Sequence, residues 1–504
     1  MNQRKSGVLL SYVYSVIHII VNLLYIPILL RTIGKEEYGL YQLVGSFVSY
    51  VSILESFISA GVLRYYCKYR QVGNEAEQEN VLAISRTIYR VLALLVTLIG
   101  VALVFLFRLG YRSALTAAQM DEASFMLVLM IANLMIHLLS GIYTAAINAH
   151  ERFVFLKLLQ IGSVSLLPIA ILLITRRLPY AYVVVLSQVL IELTVAILKW
   201  VFAKRTLGIR VVYHEKNPQM MREIASLSLS LLLALLADRI FWKTDQIIIG
   251  KAIGTGAVAV YSVGAQIYLT YSQIGTTISS VFMPRLSRLY DKEHDMAAVS
   301  DLFIRVGRIS FEILSLVLIG FIFFGREFIQ LWAGQSFGDA FWIAVIIMIP
   351  VTIDAIQNLG LSILQIQNRY FFRSKIYFAI ALANIVLTVL LVQRIGIIGA
   401  AISTTVSFFL GNGLIMNCYY ARTVKLDIRR FWLQIIRLAP SLLLCAAAGF
   451  LLTYIHAASR ILEFVLHLAI FVPTAALILY AFGMNQYEKN LVAGLLRKLL
   501  RRRT

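Results

Sequence analysis

The chain has 504 residues, 60% of them hydrophobic and only 14% charged, with a mean hydropathy of +0.82; soluble globular domains carry about 25% charged residues. That balance excludes a soluble enzyme or binding module and asks for lipid as the solvent. The formal charge of +21 would suit nucleic acid, but the basic residues sort by side of a membrane, which excludes that partner too.

Apolar runs of about 20 residues, long enough to cross a hydrocarbon core of about 30 Å, recur from end to end. In chain order the first six are expected at 8–30, 39–63, 88–107, 123–148, 153–175 and 180–203. Six more follow at 224–249, 257–283, 302–324, 341–366, 371–392 and 397–420, and a last pair at 431–456 and 462–482. The expected fold is an all-α membrane protein of about 14 transmembrane helices, in two parallel six-helix lobes plus a C-terminal helix pair. The first lobe would span 1–203, a cytoplasmic linker 204–223, the second lobe 224–420, the extra pair 421–483 and a basic cytoplasmic tail 484–504. Arg4 and Lys5 precede the first run as in a signal peptide. The length of that run and its lack of a small-residue cleavage site predict an uncleaved span instead.

Against this map, 33 of the 46 lysines and arginines fall on segments expected inside and 10 on the opposite side. The positive-inside rule then places both termini in the cytoplasm of a multi-pass inner-membrane protein. Lys199, Arg305 and Arg308, near helix ends, are expected to snorkel to the cytoplasmic interface. The tail 491–503 mixes leucines with Arg497, Lys498, Arg501, Arg502 and Arg503, a pattern for lying on anionic headgroups or for a solvated stop-transfer tail. Cys67, Cys418 and Cys445 are isolated in sequence and have neither metal nor disulfide spacing, so each reads as a small apolar residue.

An internal repeat supports the two lobes. Ile33, Gly34, Gly39, Leu40 and Tyr41 match Ile253, Gly254, Ala259, Val260 and Tyr261 at a constant offset of 220. A looser match sets Glu151-Arg152-Phe153 against Asn368-Arg369-Tyr370 at an offset of 217. Even helix numbers make the repeats parallel, and transporters so built bind substrate near the midplane between lobes.

Polar residues inside spans mark candidate function, because a charge at the bilayer centre costs about 2.5–3.5 kcal/mol on insertion scales. The seventh span carries Asp238, Arg239, Trp242, Lys243 and Asp245; subtracting 220 from Asp238, Trp242 and Asp245 lands on His18, Asn22 and Tyr25 of the first. In the first span the seam continues through Ser15 and Ser11, and the eighth carries Ser262, Gln266, Gln273, Thr277 and Ser280 in a similar rhythm. The expected cavity lining is therefore His18, Asn22, Tyr25, Arg239, Trp242, Lys243, Gln266 and Gln273, with Asp238, Asp245 and Glu55 as ion-coupling candidates. The two acidic–basic neighbours of the seventh span could instead neutralise each other. Gly45, Ser49, Ser52, Ser56 and Ser59 read as a small-residue packing seam. His137, Glu192, Asp354, Gln357 and Asn358 are intramembrane without repeat partners.

There is no G-x-x-x-x-G-K-[ST] and no H-E-x-x-H, which speaks against an ATPase or a zinc hydrolase, and no metal or cofactor is expected. The segment Pro27-Ile-Leu-Leu-Arg31-Thr-Ile-Gly34-Lys-Glu-Glu-Tyr38-Gly39-Leu-Tyr41 resembles the polysaccharide transport family, the O-antigen and capsule repeat-unit flippases. Asp245-Gln-Ile-Ile-Ile-Gly250, Tyr261-Ser-Val-Gly264, Met283-Pro-Arg-Leu286 and Gly396-Ile-Ile-Gly399-Ala-Ala401 agree with it. The resemblance covers the whole chain and extends to a superfamily shared with multidrug and toxin extruders. It implies transport of undecaprenyl-pyrophosphate-linked oligosaccharide across a bacterial cytoplasmic membrane by alternating access through a cationic cavity, with Na+ or H+ coupling. Its partners would be membrane lipids, a polysaccharide polymerase and glycosyltransferases. This chain sets Asp238 and Asp245 beside Arg239 and Lys243, a departure from a purely cationic cavity. A multidrug exporter and a membrane glycan polymerase are the alternatives.

Overall fold

A computed structural model describes residues 3–57, 59–215, 217–291, 295–367 and 369–501. Among the described residues there is no strand, as expected where backbone polar groups must be satisfied without water. The chain forms two compact units, Met1–Ala259 and Val260–Thr504.

The first unit holds α1 (Gln3–Thr32), α2 (Gly34–Val51), a 3₁₀ segment (Ser52–Phe57), α3 (Ser59–Gln71), α4 (Glu75–Tyr111), α5 (Ala117–Ala149), α6 (Phe153–Thr175), α7 (Ala181–Val201) and α8 (Pro218–Ala252). It closes with the first turn of α9 (Thr255–Asp291). The rest of α9 opens the second unit, followed by α10 (Met296–Trp332), α11 (Asp339–Ile356), α12 (Asn358–Ile366), α13 (Tyr370–Ile395), α14 (Ile397–Phe408), the short α15 (Met416–Tyr419) and α16 (Ile428–Ile436). α17 (Ala439–Leu452), α18 (Arg460–Ile478) and α19 (Gln486–Arg501) complete it.

Local chemistry sets several of these starts. Asn74, Asp295, Asp427 and Ser459 each accept a backbone N–H of the following first turn. Thr116 and Gln119 form a reciprocal capping box ahead of α5, and Asn217 followed by Pro218 begins α8. At the repeated corner, Gly34 (φ +84°) turns α1 into α2 and Gly254 (φ +123°) turns α8 into α9. Both sit in the left-handed region that a Cβ disfavours, so the offset of 220 marks two copies of one backbone bend.

Among the described residues, eleven helices are long and apolar enough to cross a membrane. They keep apolar faces exposed, as on α4, where Leu94, Leu98, Val101 and Phe105 are uncovered; lipid, not water, suits such a surface. The expected second span is divided by the 3₁₀ segment, and α8 and α9 correspond to the expected seventh and eighth.

The expected lobe boundary at 204–223 falls inside the first unit, which takes in all of α8. α8 packs on α2, α3 and α4. There Ser46 donates to Gln246 Oε1, Tyr50 meets Thr244 (2.6 Å), the Tyr111 hydroxyl donates to the Ile247 carbonyl (2.6 Å), and the bare Cα of Gly250 admits Leu43. Hydropathy locates a span but not the neighbours it chooses.

Two snorkelling expectations are overturned. Lys199 and Arg308 are buried, at 8% and 6% exposure. Arg308 Nε donates to Glu488 of α19 (2.7 Å), its Nη1 to the carbonyl of Gln434 (3.1 Å) and its Nη2 to that of Gly483 (2.5 Å), with Glu312 at 3.8 Å. Arg308, well inside α10, thus finds protein partners before it reaches the interface, and Lys199 lies within electrostatic reach of Glu192 and Glu55. Arg305 is exposed and pairs with Asp301 at 3.3 Å. Cys445 lies in the apolar core of α10, α17 and α18, whereas Cys418 is exposed. In the tail, Arg502 and Arg503 lie outside the described residues, as do the side chains of Arg497, Lys498 and Arg501.

Candidate transport cavity and its ionisable lining

The first unit bears an open cavity of about 590 Å³. One face of α5 supplies His137, Gly141, Thr144 and Asn148, at the alternating spacings of four and three that keep residues on one side of a helix. The 3₁₀ segment adds Ser52 and Glu55, α4 adds Tyr89, and α8 adds Arg239. Gly141 is bare where the Tyr89 hydroxyl approaches. A second cavity of about 300 Å³ shares Ser52, Glu55 and His137 and extends past Gly45, Tyr41 and Gln188.

Serine chemistry explains why the second span breaks at this point. Ser49 and Ser52 each return their hydroxyl to a carbonyl three residues back, at 2.6 and 2.8 Å. Such back-bonding competes with the helical ladder and bends helices, and the chain tightens into 3₁₀ geometry at 52–57. The packing seam expected here is in part a cavity wall: Gly45 faces open space, and Ser52 lines both cavities. The side chains of Ser56 and Ser59 lie outside the described residues.

At the wall shared by the two cavities, one imidazole bridges two carboxylates. His137 Nε2 is 2.6 Å from Glu55 Oε1, and its Nδ1 is 3.0 Å from Glu192 Oε1 of α7. Lys199, two turns further along α7, is within electrostatic reach of both carboxylates. The sequence marks Glu55 as an ion-coupling candidate, whereas His137 and Glu192 stand there only as intramembrane residues without repeat partners. The available signal was mutual need, because each of three spans carries a titratable group that lipid cannot solvate.

The other expected site residues are not gathered here. His18 and Asn22 bond each other on α1 (3.1 Å), while Ser11 and Ser15 bond their own helix backbone. The Tyr25 hydroxyl is buried beside Tyr41 and Gln188. On α8, Trp242 packs edge-on against Phe241, Asp245 is buried at 2% exposure, and Asp238 and Lys243 are half-buried. Lys243 lies within electrostatic reach of Arg239, one turn before it. Gln266 and Gln273 belong to α9 in the second unit; Gln273 is exposed, and its carbonyl accepts the hydroxyls of Thr276 and Thr277. Of the residues expected in the lining or in ion coupling, Arg239 and Glu55 line the 590 Å³ cavity.

A bundle of apolar helices around a polar, ionisable cavity is the architecture of a membrane transporter, and the comparisons with known proteins agree. The chain belongs to the polysaccharide biosynthesis protein family, whose model matches residues 5–290. It is 21% identical over 408 residues to a putative O-antigen transporter of Shigella flexneri, covering 78% of this chain and 92% of that protein. In fold it is similar to the lipid II flippase MurJ in an inward closed conformation, with a TM-score of 0.70 at 13% identity over 96% of this chain and 100% of that one. It is also similar to an inward-facing multidrug resistance MATE family transporter of the MOP superfamily, with a TM-score of 0.66 at 13% identity over 81% and 96% of the two chains.

Proposed function

We propose that this transporter moves oligosaccharide repeat units linked to undecaprenyl pyrophosphate across the bacterial cytoplasmic membrane by alternating access, with both termini in the cytoplasm. The observation that carries this reading is Arg239 on the wall of a 590 Å³ cavity, in a chain of the polysaccharide biosynthesis family. A diphosphate leaving water needs countercharge, and a guanidinium offers paired N–H donors in the geometry of phosphate oxygens. Lys243, one turn along α8, adds a second cation within reach. Asp238 and Asp245 would moderate these cations while the site is empty and, with Glu55, are candidates for coupling transport to Na+ or H+. A polysaccharide polymerase and glycosyltransferases are the partners such a substrate implies.

The test uses full-length protein in proteoliposomes containing a labelled lipid-linked oligosaccharide. Replacing Arg239 and Lys243 together by alanine is expected to slow flipping by about tenfold or more, the scale of losing one charge-assisted hydrogen bond. Arg239→Lys should be impaired too, because one ammonium cannot reproduce the fork. An unchanged rate in the double variant would move the anion site elsewhere. A second reading, export of organic cations, is favoured by the carboxylates Glu55 and Glu192. It predicts that the same vesicles accumulate a lipophilic cation and do not flip the oligosaccharide.

A further inference from the structure

We infer that Glu55, His137 and Glu192 form a proton-carrying site, and that the transport cycle is coupled to protons through the opening and closing of this triad at the 3₁₀ break of the second span. The coupling half of this inference rests on the transport reading above; the proton-binding half does not.

The geometry fixes how many protons the site holds. Both ring nitrogens of His137 face carboxylate oxygens, at 2.6 and 3.0 Å. A carboxylate only accepts, and a neutral imidazole has a single N–H. Two hydrogen bonds therefore need two hydrogens shared among three groups. They are supplied either by an imidazolium between two carboxylates or by a neutral imidazole with one protonated carboxyl. These are the same proton count. Removing one proton sets lone pair against lone pair at one contact, and that contact has to open. The three groups come from three separate elements, the 3₁₀ segment, α5 and α7, so the opening is a change in helix packing.

The position of Glu55 makes such a change easy. It sits within the 3₁₀ segment rather than in the middle of a continuous helix, and interruptions of this kind mark hinges. Both cavities open onto the triad, since Glu55 and His137 line each of them. The groups facing it are Tyr41 of α2, Tyr89 of α4, Lys199 of α7 and Arg239 of α8. Arg70 of α3 is committed to the Ala149 carbonyl, and Lys157 of α6 lies over the Tyr14 ring. With its two protons the triad carries one net negative charge, which the buried Lys199 balances. Without one of them it carries two, in the cavity also lined by Arg239, the cation proposed to hold the substrate's pyrophosphate. Arg239 then has a competing anion within its own cavity, and binding of substrate and loss of the proton become mutually exclusive.

Two measurements test this on purified full-length protein. In nanodiscs without substrate, infrared difference spectra between acid and alkaline pH should show carboxyl and imidazole bands that vanish together in Glu192→Gln and in His137→Gln. A wild type and variants with identical titration spectra would overturn the site, whatever the protein transports. In proteoliposomes, a gradient of one pH unit is worth about tenfold in the accumulation ratio per proton exchanged, and wild-type flipping should respond to it. The ratio of rates with and without the gradient should fall to about one in His137→Gln, with Glu192→Gln as the second variant should the first not fold. A response retained in both variants, or a wild type driven by a sodium gradient at equal pH, would overturn proton coupling through the triad. A wild type that titrates as expected but never flips the oligosaccharide would instead refute the substrate reading and leave the proton site standing.

Discussion

The two compact units set their polar side chains in different surroundings. In the first, a carboxylate, an imidazole and a guanidinium line a cavity of about 590 Å³. In the second, buried amides and hydroxyls close upon each other, and the buried Arg308 closes upon Glu488 and Glu312. Ser403 donates to Asn384 Oδ1 (2.7 Å) and meets Thr388 (2.9 Å), while Asn417 Oδ1 receives Gln357 Nε2 (2.8 Å) and Trp432 Nε1 (2.9 Å). Asp354 faces Arg373, whose guanidinium lies over Tyr377 at 5.1 Å. The difference teaches that a polar residue in a membrane helix has two uses. Groups that keep their protonation state can be sealed into packing as glue, whereas groups that must change it need an aqueous face.

The comparison breaks if the second unit's polar residues couple transport or if the first unit's merely hold it together. The largest expected effect is on stability. Arg308→Ala strands Glu312 and Glu488 in the protein interior, and loss of one partner of a buried ion pair costs about 3–5 kcal/mol. Thermal unfolding in detergent should show the midpoint well below that of the wild type. Asn417→Leu should come next, since it leaves Gln357 and Trp432 without their acceptor, at about 1–2 kcal/mol. Its flipping should keep the wild-type response to a pH gradient. Thr388→Val is expected to cost least, about 0.6 kcal/mol, the average for a hydrogen bond between membrane helices. A loss of gradient response in either of the last two variants would erase the distinction between the units.

The repeat was legible because it is written twice in one register: Ile-Gly at 33–34 and at 253–254 builds the same positive-φ corner. The helical, membrane-spanning class was legible from apolar runs that lipid alone explains. Arg239 was legible because a charge on an apolar helix demands a reason. The triad was not, since Glu55, His137 and Glu192 come from three helices and fall on Gly275, Gln357 and Asn412, none of them titratable, at the repeat offset. The burial of Lys199 and Arg308 was hidden for a related reason. Distance along a helix measures depth in a span but not whether a neighbouring helix reaches over the end. The 3₁₀ break was half visible, as a run of serines read for its small size rather than for its hydroxyls.

The environment of Arg308 bears on how the molecule is made. α10 leaves the ribosome long before α19, yet the shortest acidic contact of its buried guanidinium is Glu488. During synthesis Arg308 must wait through the insertion of α11 to α18 with that partner untranslated, and the arrival of the last helix closes the network. Chains stopped before residue 488 would be membrane-inserted but unfinished, displaying a cation that quality-control proteases can read as incomplete assembly.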